Sequence, residues 1–115
     1  MAKMEIFHNP RCRKSRETLA LLEDNKVNPE IVLYLEEKLT QKRLKEVISK
    51  LGIKASQLVR KTEPIYKEKY KGKDISDAEW VKILVKEPKL IERPIVIKGK
   101  KAVIGRPPSN VLTLI

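Results

Sequence analysis

Between Met4 and Tyr34 the chain passes from a short apolar alternation to a helical stretch and then to a second apolar run, an order that restricts the fold more than any other feature. Met4-Glu5-Ile6-Phe7 alternates as a half-buried strand does. His8 to Arg11 form a loop with Asn-Pro at its centre, a turn signal. From Arg13 to about Asn25 the composition is helical, with Leu19 and Leu22 on one face; Asn25 and Asn28-Pro29 end it. Ile31-Val32-Leu33-Tyr34 is a continuous, β-branched run, the pattern of a strand buried on both faces. Two strands joined through one helix lie parallel.

The last third returns to β. Pro94-Ile95-Val96-Ile97 and Ala102-Val103-Ile104 read as strands, with Lys98-Gly99-Lys100-Lys101 as a tight hairpin turn between them. Arg106-Pro107-Pro108 breaks the second strand, and Ser109 is placed to cap a short helix through Leu112. The order β-α-β, helical block, β-β-α gives an α/β chain with a mixed four-stranded sheet flanked by helices. In the block, Thr40 caps a helix with Leu44, Val47, Ile48 and Leu51 on one side, and Gly52 stops it. Ala55 to Arg60 reads as a short helix and the charged stretch Lys61–Lys73 as a surface loop. Ser76 and Glu79 make a capping-box pattern before Trp80, Ile83 and Leu84, and Glu87-Pro88 ends that helix. Residues 1–115 therefore read as one domain, with about 38–88 as an inserted helical subdomain too small to fold alone.

Composition removes several function classes. The apolar fraction of 41% supplies a real core. No apolar run approaches the ~20 residues that span a bilayer. Met1-Ala2-Lys3-Met4 leads straight into the first strand without a signal-peptide pattern, which leaves a cytosolic, membrane-free location as the expectation. The single cysteine excludes an intramolecular disulfide, and with a single histidine it cannot build a structural zinc site, so no metal is expected. Lys and Arg exceed Asp and Glu by 26 to 15, a net +11 that favours anionic partners. The lysines are scattered, as in a solubilising coat. One Phe, three Tyr and the lack of a recognition-helix signature argue against a nucleic-acid surface.

The lone cysteine is therefore either inert packing or a reactive thiol. Cys12 follows a strand and a Pro-containing loop and precedes a helix, so it faces unpaired backbone N–H groups and the positive end of the helix dipole. Arg11, Arg13, Lys14 and Arg16 surround it in sequence and His8 lies one loop away, a poor setting for apolar packing. Lowering a thiol pKa from about 8.5 to about 6.5 raises its thiolate fraction at neutral pH from about 3% to about three-quarters. Ser15 stands where a dithiol enzyme carries its resolving cysteine; it cannot form a disulfide, but its hydroxyl can donate a hydrogen bond to a thiolate. Arg60, Arg93 and Arg106 lie beside structural punctuation, and a tetrahedral oxyanion is better gripped by such planar, always-charged donors than by lysines. Taken alone, each reads first as a solvated surface charge, and placement at a strand end favours the binding role only for Arg93 and Arg106.

Taken together, these segments resemble a known family. His8-Asn9-Pro10-Arg11-Cys12-Arg13-Lys14-Ser15-Arg16 resembles the active-site stretch His-Asn-Pro-x-Cys-x-x-Ser-Arg of the glutaredoxin-coupled arsenate reductases. Leu58-Val59-Arg60-Lys61 with Glu63-Pro64, Ile91-Glu92-Arg93-Pro94-Ile95-Val96 and Gly105-Arg106-Pro107 resemble its further segments, in the family's order. The resemblance implies a thioredoxin-like fold with a helical insertion and a cis Pro94. It implies Cys12 as nucleophile, His8 and Ser15 holding the thiolate, and Arg60, Arg93 and Arg106 binding arsenate. It also implies glutathione as co-substrate and glutaredoxin as electron donor, with no bound cofactor. Arg11, Arg13 and Lys14 are more basic than that family pattern. Two other readings share these residues: a monothiol, glutaredoxin-like glutathione enzyme that never handles arsenate, and a redox-related transcriptional regulator of the same superfamily. Regulators of that branch carry Cys-x-x-Cys, where this chain has Cys12 and Ser15.

Overall fold

The computed structural model describes residues 4–36 and 39–115. The chain divides into two compact units, Met1–Glu37 with Arg93–Ile115, and Lys38–Glu92.

The first unit holds four strands, β1 (Met4–Phe7), β2 (Glu30–Val32), β3 (Ile95–Lys98) and β4 (Lys101–Ile104), in the order β2-β1-β3-β4. β1 and β2 run parallel, with Ile6 opposite Ile31. β1 pairs antiparallel with β3, Ile6 opposite Val96, and β3 with β4, Val96 opposite Val103. The arrangement is thioredoxin-like. Gly99 takes a φ of 60° at the β3–β4 turn, a left-handed conformation that a residue without Cβ enters freely.

Alternation sorts the central strands onto two faces. Met4, Ile6 and Val96 form a core with Leu22 of α1 (Arg13–Asp24) and with Val111 and Leu114 of a C-terminal 3₁₀ helix, Pro108–Leu114. Phe7 is likewise buried and stacks on Tyr34 at a centroid distance of 6.2 Å. Burying such side chains contributes roughly 1.5–3 kcal/mol each. This core fixes α1 against the sheet and so fixes the start of the helix.

Three local expectations are corrected here. β2 is not buried on both faces: it is an edge strand three residues long, and Ile31 is 46% exposed. Its run ends in a turn in which Glu36 N–H donates to Leu33 O, and only Tyr34 goes fully inside. The final segment is 3₁₀ and starts on Pro107 rather than on a Ser109 cap. The stretch expected to be a loop contains a helix, α3 (Pro64–Lys69), in the second unit. Pro64 pre-sets its first turn, and Tyr66 and Tyr70 pack on Trp80 at centroid distances of 6.3 and 5.6 Å.

The rest of the second unit consists of α2 (Gln41–Leu51), α4 (Asp77–Lys86) and short 3₁₀ turns at Ala55–Leu58 and Pro88–Leu90. Thr40 caps α2 by accepting from Arg43 N–H at 3.1 Å, and Ser76 caps α4 by accepting from Glu79 N–H at 3.3 Å. Leu44, Val47, Trp80, Val81 and Leu84 are buried, whereas Ile83 is only half-buried. The expected short helix stops at Leu58. Val59 pairs with Ile91 in an antiparallel bridge, and Arg60 N–H donates to Leu90 O at 2.6 Å.

Candidate active site

Cys12 is the N-cap residue of α1, with extended backbone (φ −94°, ψ 122°). The sulfur therefore stands in front of the first turn's free N–H groups, where anionic charge is favoured. The thiol is partly exposed. Burial pushes its pKa up. The Ser15 N–H, the Arg93 guanidinium through both hydrogen bond and charge, and the Lys14 N–H outweigh that and hold it below the usual thiol value. Arg106 Nη2 lies 3.6 Å from the sulfur.

The loop before Cys12 is knitted by polar groups from its own residues. Cys12 N–H donates to Asn9 O at 2.9 Å, and Arg11 N–H to Asn9 Oδ1 at 3.0 Å. Ser15 is fully buried. Its hydroxyl accepts from Asn9 N–H at 3.0 Å and lies 2.6 Å from His8 Nδ1. Burial, and then the charge of Arg16, lower the His8 pKa, so the ring is neutral at neutral pH. The consistent assignment has Ser15 O–H donating to Nδ1, with the ring proton on Nε2. The hydroxyl of Ser15 is thus committed to His8 and Asn9, and it is the Ser15 backbone N–H that faces the sulfur.

The first unit brings Cys12, His8, Ser15, Arg93 and Arg106 together. Arg106 Nε donates to Arg93 O at 2.8 Å, tying the two arginines to one another. The peptide bonds Arg93–Pro94 and Arg106–Pro107 are both cis. Arg60 stands in the second unit. Its Nε donates to Thr62 Oγ1 at 3.2 Å and lies 3.6 Å from Glu63 Oε1, while its Nη1 is a buried donor without a hydrogen-bond partner among the described residues.

Three of the cations near Cys12 in sequence are otherwise engaged. Arg13 and Lys14 pair with Glu17 at 2.9 and 3.7 Å, and Arg16 Nη1 donates to Pro10 O at 3.0 Å. The charge that acts on the sulfur comes from Arg93, distant in sequence. Asn9 is the residue that sequence reasoning passed over; its place before Pro10, where Asn closes local turns, is the signal that points to it.

A model of the ArsC family matches residues 7–114. The chain belongs to the ArsC family. A Haemophilus influenzae protein named arsenate reductase is 46% identical over 112 residues, covering 96% of this chain and 97% of that protein. The Escherichia coli protein YfgD, described as uncharacterized, is 45% identical over 115 residues, with 98% and 97% covered. The solved structure of an arsenate reductase from Vibrio cholerae superposes with a TM-score of 0.94 at 40% identity, covering 99% of this chain and 98% of that one.

A lowered thiol pKa means that the reactive form of this ArsC protein persists as pH falls below the usual thiol range. Alkylation by iodoacetamide, followed against pH, is expected to show a midpoint below about 8.5. A midpoint at or above that value would show that the groups around Cys12 do not activate it.

Proposed function

We propose that this chain is an arsenate reductase in which the Cys12 thiolate attacks arsenic and external thiols supply the electrons. The observation that carries this reading is Cys12 at the start of α1, with its thiolate favoured and guanidinium groups of Arg93 and Arg106 beside it. Such a site suits a tetrahedral oxyanion that accepts a nucleophile at its centre. The arginines hold the oxygens and offset their charge, which grows less favourable to approach as the thiolate nears. For Arg60, which belongs to the second unit, the same role rests on the family resemblance, and its buried Nη1 is a donor without a hydrogen-bond partner among the described residues.

In the first step the thiolate displaces one arsenate oxygen as hydroxide or water and forms a sulfur–arsenic(V) bond. Glutathione then displaces a second oxygen and binds the same arsenic. A further thiol, from glutaredoxin or another glutathione, attacks the glutathione sulfur and forms a disulfide. The arsenic–sulfur electron pair returns to arsenic, which becomes arsenic(III). Hydroxide displaces Cys12, and arsenite leaves. Two thiols are oxidised to one disulfide for each arsenate reduced. With one cysteine in the chain, neither of those thiols is its own.

The test is arsenite formation by the purified protein with arsenate and glutathione, with and without glutaredoxin. Turnover is expected to require glutathione and to rise with glutaredoxin. Efficient cleavage of glutathione mixed disulfides without arsenite would assign the site to a different thiol chemistry.

A further inference from the structure

We propose that Gly105, seated against Thr18 and Pro94, is a positioning residue that sets the distance from Cys12 to the guanidinium groups of Arg93 and Arg106. Its consequence for turnover rests on the arsenate-reductase reading; its consequence for the thiol does not.

The backbone of Gly105 is not left-handed, since the glycines with positive φ are Gly52, Gly72 and Gly99. Conformation therefore does not require glycine at this position, but space does. A Cβ on residue 105 would stand 2.7 Å from Thr18 Oγ1, 3.0 Å from Thr18 Cγ2 and 2.9 Å from Pro94 Cγ. Contacts that short force one side to move.

Each side leads to the site. Thr18 lies on α1, the helix that Cys12 caps, and is fully buried. Its hydroxyl donates to Lys14 O at 2.8 Å and reaches Gly105 O at 3.3 Å. Lys14 in turn presents its N–H to the sulfur. On the other side, Gly105 N–H donates to Pro94 O at 2.8 Å, directly after Arg93. Asn110 Nδ2 donates to Ile104 O and Arg106 O at 3.1 and 3.2 Å, so the strand end is also held from behind. With that bracing, an added methyl group has two outlets. It pushes α1 and its sulfur away, or it displaces Pro94 and the two arginines joined through Arg93 O. Either one opens the sulfur-to-guanidinium gap.

The experiment compares full-length Gly105→Ala, Thr18→Ala and the double variant by the pH midpoint of Cys12 alkylation and by arsenite formation. In Gly105→Ala the midpoint is expected to move up, because Arg93 no longer favours the thiolate, and kcat/KM to fall about tenfold or more. Thr18→Ala alone should keep the parent midpoint. The double variant should regain it, because removing Thr18 Oγ1 and Cγ2 lets the new methyl shift off Pro94 Cγ into the space they leave. A parent midpoint in Gly105→Ala, or a double variant as shifted as the single one, would overturn the proposal. If Gly105→Ala does not fold, the double variant decides: folded with the parent midpoint supports positioning, and shifted or unfolded contradicts it. Alkylation involves no arsenic. A shifted and rescued midpoint in a protein without arsenate activity would thus keep the positioning role and overturn only the functional reading.

Discussion

Replacing Cys12 by serine is expected to lower arsenate turnover by about 10³-fold or more, to the level of the solution reaction. The chain has one sulfur nucleophile, and the groups that favour its anion are arranged around that position alone. A serine hydroxyl ionises far above neutral pH, and a backbone N–H and a guanidinium cannot close that gap. Folding is not expected to suffer. Position 12 is the N-cap of α1, and serine is among the best N-cap residues. Thermal stability should therefore be equal or higher while turnover disappears. A variant that folds and still turns over would place the chemistry elsewhere.

Arg93→Lys is expected to cost about 10²-fold in kcat/KM. Lysine keeps the positive charge but loses the planar fork that grips two oxygens, and its donors cannot reproduce the Arg93 hydrogen bond to the sulfur. The alkylation midpoint should rise with it, because a group that lowers the thiol pKa has been weakened. Lys67→Ala, Lys69→Ala and Lys71→Ala serve as controls: they remove exposed charges of the second unit and should stay within about twofold, as unpaired surface charges do. Equal losses in both sets would mean that general positive potential, and not the fork, binds the substrate.

The parallel pair and the hairpin of the mixed sheet were legible because alternation in Met4–Phe7 and the compact hairpin Ile95–Ile104 are local signals. So were the helix starts at Thr40 and Ser76, where a single hydroxyl meets a first-turn N–H. What was not legible depends on contacts between distant residues. Ile31 looks like core in a list of apolar residues, yet β2 stands at the edge of the sheet, a position set by the order of all four strands. α3 has no apolar stripe of its own; its tyrosines gain a partner only when Trp80 arrives from α4.

The site shows the same division. Cys12 at a helix start could be read from a strand, a Pro loop and a helical run. Its electrostatic surroundings could not, because nearness in sequence favoured Arg13 and Lys14, whereas Glu17 engages both. Arg93 and Arg106 reach the sulfur from the two strand ends that lie side by side at the open end of a hairpin, far from Cys12 in sequence. Ser15 was readable as a partner of the site but not in its manner of acting, since its hydroxyl turns to His8 and its N–H to the sulfur.

The proposed chemistry turns on the bond between Cys12 and arsenic. Reduced protein mixed with arsenate, quenched within one turnover and examined by intact mass and peptide mapping, is expected to carry one arsenic on the Cys12 peptide. It should release arsenite only after a glutathione chase, and Cys12→Ser should carry none. Stoichiometric arsenite before the chase, or arsenic retained by Cys12→Ser, would contradict it.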